Sequence, residues 1–335
     1  MSNNGRVFYC LITMNKIAYI KPWLPIDEQL LKLEGRGLIV SDRAAAGRFL
    51  KYINYYRFAG YALKFQYWDE KKKDRVFKDG VSFDDVKDLC AFDGDLRDCI
   101  AEALEAVEIS MRSCVAFHFA RKYGPFGHAD GRNFGADFTR PRPARESKTK
   151  IIVPYKDWRA TVIAETRRSS EVFVKHFEKC YSQYPDLPIW VVSEICSFGT
   201  LSKMYANLRN SDQGAVASEY ELQYLVLKSW LHALTYVRNI CAHHARLWDK
   251  VLQISPEVPR RKNWQKVIGF EKTLYVVVLM LNWLMAHDSV DKDAHRHWKA
   301  SMERLMDDFG SRFPALFAYT GFPINWKKNP LWWQY

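Results

Sequence analysis

The chain has 335 residues, 48% hydrophobic and 26% charged, which is enough apolar surface to core one large or two ordinary domains. Its 16 Gly and 13 Pro exclude a collagenous or globally disordered polymer. Lys and Arg outnumber Asp and Glu by 50 to 38, a formal charge of +12 that favours polyanionic partners: RNA, DNA or an anionic membrane surface.

In chain order, the apolar stretch 7–14 runs into Asn15 and Lys16 without a small-x-small cleavage pattern, so no secretory signal is expected. Met14 reads as an alternative start, with residues 1–13 an extension ahead of the fold. Residues 26–34 predict a short helix stopped by Gly35 and Gly37. A second helix is expected from Ser41 and Asp42, whose oxygens can cap it, with Phe49, Leu50, Ile53 and Tyr56 inward. Residues 69–80 form a charged turn or short hairpin and mark a boundary. From 82 to 121, Leu89, Phe92, Leu96, Ile100, Leu104, Val107, Met111 and Val115 recur at helical steps, and Gly124-Pro125 ends the run. A basic loop follows at 124–150, carrying Arg132, Arg140, Arg142, Arg145, Lys148 and Lys150.

Further helices are predicted over 156–181, stopped by Pro185, and over 189–208 around a break at Phe198-Gly199. A long one runs from Ser218 to Trp248, with Leu222, Leu225, Trp230, Leu234, Val237 and Cys241 inward. A second basic loop at 255–263 holds Arg260, Arg261 and Lys262; helices over about 268–287 and 290–309 and a Trp-rich irregular tail from Phe313 complete the chain. No period-2 pattern stands out, so the fold class is all-α. The organisation expected is an N-terminal helical segment (1–80), a helical core (81–254) and C-terminal helices with the tail (255–335). The longest apolar run, Leu274–Ala286, is about 13 residues against the roughly 20 a bilayer needs. Seven scattered cysteines without a C-x-x-C pair read as free buried thiols in a reducing compartment. A cytoplasmic protein off the membrane is expected.

The nucleotide-cradling, nucleophile-elbow and zinc-protease motifs are all absent. Asp93-Gly94-Asp95 with Asp98 fits either a carboxylate metal cluster or acidic residues in the first turns of a helix. His295-x-His297 beside Asp291 and Asp293 fits either a metal site or a solvated helix face. We take the second reading in both, and expect neither metal nor other cofactor.

What remains is Arg238-Asn239-Ile240-Cys241-Ala242-His243-His244. Arg and His at this spacing can cleave RNA without a metal, because the RNA supplies its own 2′-hydroxyl nucleophile. Histidine moves the protons, arginine stabilises charge gathering on the phosphate, and Asn239 can hold the histidine or a phosphate oxygen by hydrogen bonds. The spacing alone is weak. With 9 histidines, chance placement gives about two such matches. The chain has Arg238 with His243 and His244, Arg112 with His118, and Arg121 with His128. On a regular helix Arg238 and His243 stand roughly 140° apart, so either the helix is distorted or the site is shared between two chains.

The wider string is more specific. Trp230-Leu231, then Arg238 to Trp248, resembles the signature of the Abi-like (AbiD/AbiF) abortive-infection proteins, members of the HEPN superfamily of helical ribonucleases. Other blocks agree in order: Lys21-Pro22, turn residues at Gly35–Ile39, and Ile53-Asn54-Tyr55-Tyr56-Arg57 with Gly60-Tyr61; Phe92-Asp93, Leu96-Arg97, Ala106-Val107-Glu108 and Arg112; and Leu187-Pro188-Ile189-Trp190, Glu194 and Ser197–Ser202. The resemblance implies a HEPN-type helical bundle with additional terminal helices. It further implies Arg238, His243 and Asn239 as catalytic residues, His244 in support, and a toxin-like endoribonuclease role in antiphage defence. Such sites pair two motifs, and one motif per chain makes a homodimer the expected partner. RNA is the other, contacted by Arg246 and both basic loops. The alternative is an RNA-binding defence protein holding a structured non-coding RNA, its nuclease silent or conditional, with Trp326, Trp332 and Trp333 contributing. Glu108 and Glu194 read as partners for arginines. Tyr55, Tyr56 and Arg57 read as inter-helix contacts, with base stacking as the alternative.

Overall fold

Helical spacing governs the structure, a computed structural model describing residues 18, 22–144, 149–287 and 291–335. The fold is all-α, with two very small antiparallel sheets among the described residues. Residues 1–13, Met14, Cys10, Arg145 and Lys148 lie outside the described residues. The chain forms two compact units, the first ending at Leu89 and the second starting at Cys90.

In the first unit α1 (Ile26–Gly35) packs on α2 (Arg43–Ile53) through Leu30, Leu33, Ala46 and Leu50. Asp42 caps α2 by accepting from the Ala45 amide, as its sequence position predicts. Gly37 takes φ 94°, the left-handed turn that ends α1. The helix does not continue to Tyr56. Asn54, at φ 72°, breaks it and caps α3 (Tyr55–Ala62) by accepting from the Tyr56 amide. The new direction buries Phe58, which stacks on Phe83 at 4.5 Å, and leaves Tyr56 exposed. Strands β1 (Gln66–Asp69) and β2 (Asp74–Phe77) form the charged hairpin, braced by a bidentate Arg36–Asp74 pair. Four-residue strands are too short for alternation to register in the sequence.

Helix α4 (Phe83–Tyr123) begins in the first unit and runs into the second. There follow α5 (Ala136–Thr139), the pair β3 (Arg142–Pro143) and β4 (Ile151–Ile152), and α6 (Pro154–Arg168). The predicted 156–181 helix is therefore two, because the chain leaves helical geometry at Ser169 before α7 (Val172–Cys180). Next come α8 (Ile189–Ile195) and α9 (Phe198–Asn207). The break falls at Cys196-Ser197, where the Ser197 hydroxyl caps α9. The long helix expected from Ser218 is also divided, into α10 (Asn210–Glu219) and α11 (Tyr224–Ala242), with Glu221 turned at φ 50° between them. Leu225, expected inward, is exposed.

The longest apolar run becomes α12 (Leu274–His287), buried at every position from Leu274 to Met285. It is a core helix, and among the described residues no helix is long and apolar enough to cross a membrane. Asn282 in its middle donates to the Leu331 carbonyl and accepts from His295 on α13 (Lys292–Arg312). The tail folds into α14 (Pro314–Phe317) and α15 (Pro330–Trp333). Trp326 and Trp332 are buried against each other, 4.7 Å between ring centres, so only Trp333 of the three tail tryptophans faces solvent. Among the described residues no cysteine is in a disulfide; Cys99, Cys196 and Cys241 are buried, Cys90 and Cys114 half-buried, and Cys180 exposed.

Two buried histidines give this core a pH dependence. Burial, with Arg159 second, pushes His128 down to about 4 from an ordinary 6.5. Burial, with Lys299 second, does the same to His295. Each is neutral when folded but protonates in the unfolded chain below 6.5. The unfolded state therefore binds extra protons between about 6.5 and 4, and stability falls as pH falls through that window. The slope is up to about 1.4 kcal/mol per pH unit for each group. Thermal melts taken from about pH 7.5 down to 5 should show a Tm that changes little above about 6.5 and falls below it. A constant Tm across that range would contradict both neutral assignments.

Candidate active site

The inward face of α11 carries Trp230, Leu234, Val237 and Cys241, all buried, which turns Arg238 and Asn239 outward. Burial pushes the Cys241 thiol up to about 11, so the cysteine inside the motif stays protonated and serves packing. The Arg238 side chain is 43% exposed, and its Nε lies 3.7 Å from Glu108 Oε2 on α4. The other oxygen of Glu108 pairs with Arg112, whose guanidinium also donates to the carbonyls of Ser193 and Glu194. One half-buried carboxylate thus holds two arginines. Glu108 and Arg112, four positions apart on α4, join Arg238 in a three-member network. Glu194 contributes its backbone oxygen to Arg112 and presents its side chain to solvent.

Helix α11 stops inside the motif, not at Trp248. His243 occupies the C-cap, with its amide bonded to the Asn239 carbonyl. The His244 amide bonds to Cys241 and the Ala245 amide to Ile240, the paired bonds of a Schellman turn. His244 sits at the position usually given to glycine, with φ 51°. A left-handed histidine costs on the order of 1 kcal/mol. His243, at φ −94° and ψ 12°, has left helical geometry while its amide still bonds back to the Asn239 carbonyl. Asn239, His243 and His244 are all exposed. Among the described residues no hydrogen bond joins Arg238 to Asn239 or His243.

Beyond the turn the chain is clamped. Asp93 is fully buried and accepts from the amides of Leu247 at 3.0 Å and Trp248 at 2.6 Å. Its second oxygen pairs with Arg97, and Arg97 also reaches the Ala245 carbonyl at 3.5 Å. Leu247 and Trp248 are buried, and Arg246 between them and the motif is half-buried. Asp93 is therefore neither a metal ligand nor a residue of the helix's first turn. It lies ten positions into α4 and anchors the segment after the motif. Its spacing to Arg97 was the available signal, but nothing local marks the long-range amides it serves.

The Abi-like protein family matches residues 48–249. This chain belongs to it. No curated protein and no solved structure matches the chain. The matched segment of this Abi-like protein contains Asp93, Arg97, Glu108, Arg112 and the whole motif.

The basic residues of this Abi-like chain differ in what they already do. Arg140, Arg142 and Lys150 are exposed, with Arg140 only loosely associated with Asp137 at 3.9 Å. Arg132 is taken up by a bidentate pair with Asp130. Arg260 and Lys262 are exposed, whereas Arg261 pairs with Glu221 and lies 5.2 Å from the Trp283 ring. Among the described residues no group of three or more His, Cys, Asp or Glu side chains could hold a metal. His295 is buried on Asn282 rather than solvated, while His297 is exposed.

Proposed function

We propose that this Abi-like protein is a HEPN-type endoribonuclease of antiphage defence that cleaves RNA without a metal. The observation that carries the reading is the C-terminal end of α11. There Glu108 steadies a solvent-facing Arg238, and the Schellman turn, clamped by Asp93, holds a solvent-facing His243 five residues on. In the reaction the substrate's 2′-hydroxyl attacks the adjacent phosphorus. His243 takes the hydroxyl proton, Arg238 stabilises the charge on the phosphoryl oxygens, and the 5′-oxygen of the next nucleotide leaves with a proton. The products are a 2′,3′-cyclic phosphate and a 5′-hydroxyl. One chain carries one such motif, so the second proton transfer is assigned to the same motif of a second copy of the chain in a homodimer.

RNA incubated with the protein in excess EDTA should be cut to fragments with those two end groups. DNA, which lacks the 2′-hydroxyl, should stay intact. Cleavage that requires a divalent ion, or that leaves 5′-phosphates, would refute this chemistry. The exposed Arg140, Arg142, Lys150, Arg260 and Lys262 suit phosphate contacts on that RNA, and binding should weaken steeply with salt.

A further inference from the structure

We propose that Tyr52 and Tyr56, flanked by Arg48 and Lys51, form a platform on which unpaired RNA bases stack. The proposal rests on RNA being this protein's ligand, as in the reading above. Both tyrosines are 86% exposed, more than any other aromatic ring among the described residues, and they lie four positions apart. The unit's aromatic packing is carried by Phe49, Phe58 and Phe83; among the described residues Tyr52 and Tyr56 join no ring contact and no side-chain hydrogen bond. Scattered apolar residues on a surface need no explanation, but two rings this bare only four positions apart do. The break at Asn54 puts them on different helices, α2 and α3, so each ring keeps its own free face.

The surrounding charge selects the occupant. Arg48 lies one helical turn before Tyr52 on α2, at i−4, and Lys51 is the residue preceding it; both are exposed, and among the described residues neither forms an ion pair. Beside Tyr52 opens a groove of about 430 Å³ walled by Phe49, Ile53 and Phe83, with Arg48 and Lys87 on its lining. The carboxylates at this groove are already engaged. Asp42 caps α2 and Asp84 pairs with Lys87. Planar apolar faces next to Arg48 and Lys51, cations in no ion pair among the described residues, match a strand that offers a base and a phosphate at every step. A duplex buries its base faces, so the ligand is unpaired RNA.

The test measures binding apart from cleavage. The probe is a labelled 2′-O-methyl oligoadenylate of about twelve nucleotides, within the range of such sites, which lacks the attacking hydroxyl. Tyr52→Ala and Tyr56→Ala should each weaken binding about tenfold without changing the Tm, while Tyr→Trp at either position restores it. Arg48→Ala and Lys51→Ala should each lower the salt slope by about one. The same oligonucleotide annealed to its complement should bind no differently to the tyrosine variants and the wild type. Alanine variants that bind the single strand like wild type would overturn the platform. So would variants that keep RNA affinity but lose a copurifying protein, which would make the surface a protein contact. If the tyrosines govern binding and natural RNA is never cut, the platform stands and the nuclease reading falls. If RNA is cut and binding ignores the tyrosines, the nuclease reading stands and the platform falls.

Discussion

Arg238→Ala and His243→Ala are each expected to slow RNA cleavage by about 10²- to 10⁴-fold, the usual range for an acid–base group or a charge stabiliser of the transition state. Both side chains reach solvent, so neither change should disturb the core. Arg238→Ala leaves Glu108 still paired with Arg112. Folding therefore serves as the control, read as an unchanged Tm beside the lost rate. His244→Gly should act differently. It relieves the left-handed strain at φ 51° and should stabilise the turn slightly, whatever it does to cleavage. Variant and wild-type subunits, once exchanged, test the shared site. Heterodimers with an incomplete site should depress activity below simple dilution in an Arg238→Ala titration. A linear mixing curve assigns the site to one chain, and unchanged rates in both single variants would remove these residues from the chemistry altogether.

The sequence made the helices legible and their ends much less so. Apolar periodicity and the Gly124-Pro125 stop located α4 to within two residues at either end. The inward face of α11 was equally clear, since Trp230, Leu234, Val237 and Cys241 are all buried. Periodicity then misled at Leu247 and Trp248, which continue the apolar rhythm past Ala242. They are buried from a non-helical segment, because Asp93 supplies the acceptor their amides need from more than a hundred residues away. Tyr56 failed for a similar reason. Its spacing matches an inward position only if Asn54 continues the helix, and Asn54 adopts a left-handed conformation instead. Within the motif, the order of Arg238, Asn239 and His243 was readable, but not the support beneath it. Glu108 was identifiable as an arginine partner through its spacing to Arg112; that it also serves Arg238 is a product of how α4 and α11 pack.

Asp93→Ala should be the most damaging single change to stability, at about 3–5 kcal/mol, the cost of breaking a buried ion pair from one side. Three groups lose their acceptor together: the amides of Leu247 and Trp248 and the guanidinium of Arg97. The Arg97 side chain is 11% exposed, so little water can replace the carboxylate. Asp93→Asn separates the contributions. Its amide oxygen can still accept from both backbone amides, but it offers Arg97 no charge, so its loss should be smaller than that of Asp93→Ala. Adding Arg97→Met to Asp93→Ala removes the stranded cation and should recover part of the deficit, a coupling that a double-mutant cycle in urea will read directly. The local consequence is separable from the global one. In Asp93→Asn below its melting temperature, hydrogen exchange at Leu247 and Trp248 should accelerate before exchange in α12 does. An Asp93→Ala protein that melts with the wild type, or a double variant no more stable than the single, would mean that the segment after His243 is held by its apolar contacts, with the buried carboxylate incidental.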